Sequence, residues 1–233
     1  NHVAGELYGT IPEDTRDLIG GFVDGVNHYI DLNRQVLPSW VEPIRGTDIV
    51  AATRWMVLQF VERQGQPELS SKGLLAGAPL GILGSNQVVV SPTRSHSGRT
   101  LMMSDLHFPW DTPYRMCEAH LVSDEGLNVY GGTFFGWPVL FQGHNGKITW
   151  SFTANEADVF DLYEIKLDQA NPRRYLYERE KERISSRRVR VRVQRGAGME
   201  EVSRDLLSTH HGPIYKIGEN WAYAAKAPMD EIA

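Results

Sequence analysis

Cysteine is almost missing from this chain. Cys117 stands alone, so no disulfide can close within the chain and no cysteine zinc site can form. No apolar run approaches the ~18–20 residues that a membrane-spanning helix needs. Positive charge is not in excess either. The formal net charge is −5, whereas nucleic-acid binders usually leave a basic footprint. Repeats and low-complexity tracts are absent from the sequence. Asn1-His2-Val3 carries no initiator Met, secretion signal or transit pattern. At the other end Met229-Asp230-Glu231 runs to Ala233 without capping or tail composition. These ends predict a piece of a longer protein.

What is present is globular. The chain has 233 residues, 41 % of them hydrophobic and 23 % charged, which excludes disorder, collagen and coiled coil and suits one large domain or two modest ones. Thr10 to about Arg34 has a helical pattern. Thr10-Ile11-Pro12-Glu13 reads as a capping box with an early proline, and Leu18, Ile19, Phe22, Val23, Val26, Tyr29 and Ile30 make one apolar face. Gly20-Gly21 and Gly25 predict close packing against a neighbour, since glycine otherwise weakens a helix. A second helix starts at Thr47-Asp48, with Ile49, Val50, Trp55, Met56, Phe60 and Val61 as its largely buried set. We divide the chain into a helical part (1–64), a Gly-, Pro- and Ser-rich linker (65–84) and a β-rich part (85–233). Such linkers suit processing, because cutting requires accessible backbone.

The β-rich part opens at Ile82-Leu83-Gly84-Ser85-Asn86-Gln87-Val88-Val89-Val90, whose valines predict a buried strand. If the Gly84–Ser85 bond were cut, Ser85 would carry its hydroxyl and a free α-amine in one residue, nucleophile and base together. Short apolar runs follow at Leu101–Met103, Cys117–Val122, Val129–Tyr130, Val139–Phe141, Ile148–Phe152 and Leu162–Lys166, separated by turn residues. Arg187–Gln194 alternates Arg and Val. This reads as a strand with one wet face, its charge balanced by Glu178, Glu180, Glu182, Glu200 and Glu201, rather than as a nucleic-acid patch.

Several segments carry residue types that chemistry uses. Asp105-Leu106-His107-Phe108-Pro109-Trp110 is either a loop tucked onto the core by its aromatics or a site with His107 beside Ser85 and Phe108 lining an apolar pocket. Gly143-His144-Asn145-Gly146 reads as a hairpin turn. Trp150-Ser151-Phe152-Thr153-Ala154-Asn155 leaves a strand for a loop, where a backbone amide can face an oxyanion. Asp158 and Asp161 are three apart, a spacing that suits a hard cation such as Ca²⁺ as well as it suits a turn. His210 and His211 are adjacent before Gly212-Pro213; on a strand their side chains would point opposite ways, against shared binding of one metal.

In this order the segments resemble the penicillin acylase family of N-terminal nucleophile hydrolases. Gly25-Val26-Asn27 with Tyr29-Ile30 and Leu37-Pro38 resembles the end of the family's α-chain, and Gly84-Ser85-Asn86 its processing site. Asp105–Trp110, Glu118-Ala119-His120-Leu121, Gly136-Trp137-Pro138, Gly143-His144-Asn145 with Trp150, Asp161-Leu162-Tyr163 and Thr209–Pro213 follow as they do there. The resemblance implies an α+β fold of αββα sandwich type, and self-cleavage of a zymogen before Ser85. It implies that Ser85 Oγ attacks an amide carbonyl with its own α-amine as base, an amine of unperturbed pKa near ~8, and that an acyl-enzyme on Ser85 then hydrolyses. It also implies a backbone N–H from Ala154 to the oxyanion, His107 as a support where some members have Gln, and an acyl pocket of Phe108, Phe141, Gln142 and Phe152. A structural Ca²⁺ would be held by Asp158, Asp161, the Phe160 carbonyl and Glu68, and no organic cofactor is implied. The family's second oxyanion donor, an Asn side chain, and a nearby Arg come from beyond position 233. The partners are then an amide substrate and the remainder of the protein's own α- and β-chains, with neither nucleic acid nor membrane, in the periplasm or outside the cell.

The expected activity is hydrolysis of an N-acylated small molecule, a β-lactam antibiotic such as penicillin or an N-acyl homoserine lactone, the latter amounting to quorum quenching. Two rival readings are a non-catalytic Ca²⁺-stabilised β-rich binding or structural module with an uncut Gly84–Ser85 loop, and a conventional Ser–His hydrolase using His107.

Overall fold

The computed structural model describes residues 2–75, 84–110, 114–154, 157–196 and 198–227. Residues 76–83 of the expected linker, together with Asn155, lie outside them. Helices come first: α1 His2–Tyr8, α2 Glu13–Leu32, α3 Gly46–Gln64 and α4 Gln66–Ser71. Thirteen strands follow among the described residues, β1 Gly84–Val90 to β13 Trp221–Lys226, and every recorded strand pair is antiparallel.

The chain divides into two compact units, one of Asn1–Val57 with Leu80–Glu156 and one of Leu58–Pro79 with Ala157–Ala233. In the first, α2 buries Ile19, Val23 and Ile30 while Leu18 and Tyr29 stay exposed. The start of α3 adds Ile49 to this core. Three helical expectations are corrected. Pro12 occupies the N-cap without a side-chain cap bond, because the Thr10 hydroxyl donates to the Leu7 carbonyl at 2.8 Å and is spent on the end of α1. Gly20, Gly21 and Gly25 face open space, so no close packing explains them among the described residues. Trp55 is also not buried, at 46 % exposed, leaving Ile49, Met56 and Val61 as the buried members of the α3 set.

The strands of this first unit make a two-stranded ribbon, β1 with β2 (Leu101–His107), and a four-stranded sheet. The sheet runs β3 (Met116–Val122), β4 (Asn128–Phe134), β5 (Gln142–His144) and β6 (Thr149–Trp150). The valines of β1 are not buried as expected: Val88 and Val89 are 49 % and 64 % exposed. A ribbon strand has one paired edge and no covered second face, so β-branched composition alone does not bury it. Val139–Phe141 is not a strand either; pairing begins one residue later, at Gln142. Asn145 closes the β5–β6 hairpin through its own side chain, whose Oδ1 accepts from the Lys147 and Ile148 amides.

In the second unit seven strands form one sheet in the order β10-β11-β12-β13-β7-β8-β9. These are β7 Asp161–Asp168, β8 Asn171–Tyr177, β9 Glu180–Arg183, β10 Ser185–Arg195, β11 Gly198–Thr209, β12 Gly212–Ile217 and β13. The central β13 is paired on both sides, and its Ala222, Ala224 and Ala225 are almost wholly buried. Around it pack Ile165, Leu167, Tyr175 and Ile184. A second cluster joins Val61 and Leu69 to Phe160. The β10–β11 hairpin pairs Arg188 with Asp205, Arg195 with Glu200 and Arg190 with Glu201. Its expected dry face is open too, for Val191 is about half exposed.

Candidate active site

The register of the ribbon decides which side chains meet. Ser85 lies opposite Leu106, and Gln87 opposite Ser104. Residues directly across an antiparallel pair project to the same face, so Ser85 shares its face with Leu106, Ser104 and Met102. Ser104 and Met102 line a cavity of about 430 Å³ that is also walled by Glu118, Tyr130, Gln142, His144 and Trp150 of the four-stranded sheet. Gly131, Gly132 and Gly143 contribute its lining where β4 and β5 pair; a Cβ at Gly132 would press on the Met116 side chain at 3.2 Å. The Ser85 hydroxyl donates to the Gly84 carbonyl oxygen at 2.5 Å.

His107 is on the other face. It lies opposite Gly84, and Asn86 opposite Asp105, so these four alternate away from Ser85. His107 Nε2 is 3.0 Å from the Asn86 amide nitrogen and 3.1 Å from Asp105 Oδ2. Protonated on Nε2, the ring donates to Asp105; unprotonated there, it accepts from Asn86. Its Nδ1 lies 3.2 Å from where a Gly84 Cβ would stand. The geometry therefore gathers His107 with the residues on either side of Ser85 rather than with Ser85 Oγ.

The expected pocket aromatics do come together. Phe134, 1 % exposed, is the hub: its ring centroid lies 5.4 Å from Phe108, 4.7 Å from Phe141 and 5.3 Å from Trp137. Phe152 joins through Phe141 at 5.1 Å. Tyr114 stacks on Phe108 at 5.4 Å. Phe134, Tyr114 and Trp137 belong to this cluster and were not among the expected pocket residues, although the crowding of Phe134-Phe135-Gly136-Trp137 was a visible signal. Gln142 lies apart from this cluster, on the cavity wall, hydrogen-bonded to Ser104. Ala154 is exposed in the loop after β6.

In the second unit, the Glu68 carboxylate accepts a hydrogen bond from the Leu162 amide at 3.0 Å. That contact brings it to the Asp158–Asp161 segment across more than ninety positions. Phe160 anchors the segment with a ring only 2 % exposed. Two or three carboxylates with a main-chain carbonyl are the donor chemistry a hard cation takes. Among the described residues, however, no three His, Cys, Asp or Glu side chains are gathered closely enough to hold an ion. His210 and His211 sit in the turn between β11 and β12 and not on a strand, so their rings lie 3.8 Å apart instead of on opposite faces. Tyr163 stacks on His211 at 3.9 Å, and Tyr175 bonds His210 Nδ1 at 2.6 Å.

The family model described as penicillin amidase matches residues 2–232. The chain belongs to the penicillin amidase family. Among its curated relatives, the acyl-homoserine lactone acylase PvdQ of Pseudomonas fluorescens (strain Pf0-1) is 32 % identical over 229 residues, 87 % of this chain and 29 % of the relative. Aculeacin-A acylase of Actinoplanes utahensis is 28 % identical over 231 residues, again 87 % of this chain and 29 % of the relative. Among solved structures, a thermostable penicillin G acylase from Alcaligenes faecalis aligns with a TM-score of 0.52 and 26 % identity, over 64 % of this chain and 26 % of that one. The chain thus spans about three tenths of the length of these curated relatives. As a member of the penicillin amidase family it shares a mixed architecture of helices and mostly antiparallel sheets with the acylase structure.

Proposed function

We propose that this chain carries the nucleophile half of an acylase, in which Ser85 becomes an N-terminal serine and hydrolyses the amide of an N-acylated small molecule. The observation that carries the reading is the placement of Ser85: second residue of β1, on the same ribbon face as Ser104 and Met102, with its hydroxyl against the Gly84 carbonyl. In that position Oγ is beside the peptide bond whose cleavage would free its α-amine. Cutting proceeds by attack of Oγ on the Gly84 carbonyl carbon, release of the Ser85 nitrogen to give an ester, and hydrolysis of that ester by water. The freed amine then takes the proton from Oγ when Oγ attacks the substrate carbonyl. The acyl group moves to Ser85, the amine product leaves with a proton, and water releases the acid.

His107 supports the strand in this reading. Its contacts to Gly84 and Asn86 brace both neighbours of the nucleophile, and its place on the far face leaves the α-amine as base. Ala154 N–H faces the developing oxyanion. The aromatic cluster of Phe108, Phe134, Phe141 and Phe152 favours an apolar acyl chain, and Gln142 lines the adjoining wall. The names of the relatives support amide-linked acyl substrates, acyl-homoserine lactones among them. The αββα sandwich, maturation of a zymogen into two chains and residence in the periplasm belong to the same reading. So does a structural Ca²⁺: Asp158, Asp161, the Phe160 carbonyl and Glu68 would hold it, and its charge would tie α4 to the start of β7.

N-terminal sequencing of the purified full-length protein tests the core of the proposal. A chain beginning Ser85-Asn86-Gln87 is expected, absent in Ser85→Ala. Should the protein stay uncut, or should Ser85→Ala still release free acid from an N-acyl homoserine lactone, a non-catalytic module or another nucleophile replaces this reading.

A further inference from the structure

Three polar side chains close a ring beside the cavity. Gln142 Oε1 lies 2.9 Å from Ser104 Oγ and 3.2 Å from Ser151 Oγ, and the two hydroxyls are 2.5 Å apart. Two protons serve three contacts, so one hydroxyl donates to the other while the second donates to Gln142, in either sense around the ring. The three groups are partly buried, where breaking one contact leaves the remaining polar atoms short of a partner.

What the ring connects gives it a role. Ser104 lies on β2, which pairs along the whole of β1 from Gly84 onward. Gln142 opens β5, and Ser151 follows directly on β6, three residues before Ala154. The ring therefore spans from the strand that braces Ser85 to the loop that carries the Ala154 amide. We propose that Ser104 and Ser151 are positioning residues for the oxyanion loop. Through Gln142 they hold residues 151–154 at a fixed distance from the β1–β2 ribbon, so that the Ala154 N–H meets the carbonyl oxygen under attack. The inference rests on the Ser85 reading above. Donors must come within ~2.7–3.1 Å of the oxyanion, and a displacement of about 1 Å can cost roughly 10²-fold in rate. A serine ring outside the reacting atoms thus acts on turnover and leaves substrate affinity alone.

The test uses the full-length protein with an N-acyl homoserine lactone as substrate, after N-terminal sequencing and thermal melting have shown each variant to be cut and folded. Ser104→Ala and Ser151→Ala are each expected to lower kcat by roughly 10–100-fold, with KM within about two-fold of wild type. Ser104→Thr restores the hydroxyl, and the cavity beside it has room for the methyl, so kcat returns to within about three-fold. The double alanine variant is expected to be no worse than the poorer single one, because the ring acts as a unit. Unchanged kcat in both folded alanine variants, or a loss confined to KM, overturns the proposal. Ser85→Ala separates the two readings. If it is inactive while the ring variants turn over normally, the ring proposal alone fails; if it remains active, the Ser85 reading fails and takes the ring with it.

Discussion

Phe134→Ala is the sharpest probe of the aromatic cluster. Phe134 is 1 % exposed, and its ring meets Phe108, Tyr114, Trp137 and Phe141 at centroid distances of 5.4, 6.4, 5.3 and 4.7 Å. Truncating a buried Phe to Ala costs ~3–5 kcal/mol through lost transfer energy and the cavity left behind, and each aromatic pair contributes about 0.5–1.5 kcal/mol beyond its area. With four partners lost at once, the upper half of that range is expected. Phe152→Ala is the internal control: Phe152 is 55 % exposed and has one recorded ring partner, Phe141 at 5.1 Å. Its truncation should cost under about 1 kcal/mol while shifting the preferred acyl length. Urea unfolding of both variants, with m checked for constancy, measures the contrast. A Phe134→Ala cost below about 1 kcal/mol, or equal costs for the two variants, would refute the assignment of Phe134 as the hub.

Three further outcomes can be checked. Gly65→Ala places a methyl onto the Phe160 ring at the start of α4, an overpacking expected to cost roughly 1–3 kcal/mol by denaturant titration; a neutral result would mean that the ring moves freely. For the Ca²⁺ reading, EDTA should lower the melting temperature of the full-length protein and Asp161→Ala should remove that response; melting indifferent to both excludes the ion. Burial, then the neighbouring His210 and Lys226 charges, hold His211 below the ordinary histidine value of 6.5. The folded state then binds fewer protons than the unfolded chain in acid, so this group's contribution is complete above pH 6.5 and is lost as pH falls through the depressed folded value. Melting temperatures at pH 7.5 and 5.5 should therefore fall less steeply in His211→Gln than in wild type, and parallel slopes would contradict the assignment.

Parts of the candidate site were legible because their signals are local. Pro109 stops β2 just after His107, Asn145-Gly146 turns the β5–β6 hairpin, and Phe108 is a large aromatic in a loop, whereas Phe141 and Phe152 were named only through family resemblance. Glu68 was singled out only through family resemblance, as a Ca²⁺ ligand, and nothing near it in sequence announces its contact with the Leu162 amide so far along the chain. The side on which His107 stands was not legible. Its closeness to Ser85 was, but the register that puts Gly84 opposite His107 turns the ring to the other face, and one residue of slip would have reversed it. Ser104 and Ser151 escaped notice for a similar reason: a serine in a strand or loop is ordinary until a third group closes a ring around it.

Alone, the order of residues determined the helical beginning, the β-rich remainder and the turn positions, all set by spacing, turn chemistry and short-range pattern. Burial was decided by the tertiary structure. The valines of β1, strong strand formers, are exposed because β1 has a single partner strand among the described residues, whereas alanine-rich β13, a weak strand former by composition, lies at the centre of a seven-stranded sheet with Ala222 and Ala224 wholly covered. Which strand becomes central depends on pairings between segments far apart in the chain, and small side chains are favoured there because neighbouring layers must approach closely. Propensity says that a segment can be a strand; only the pairing order says what covers it.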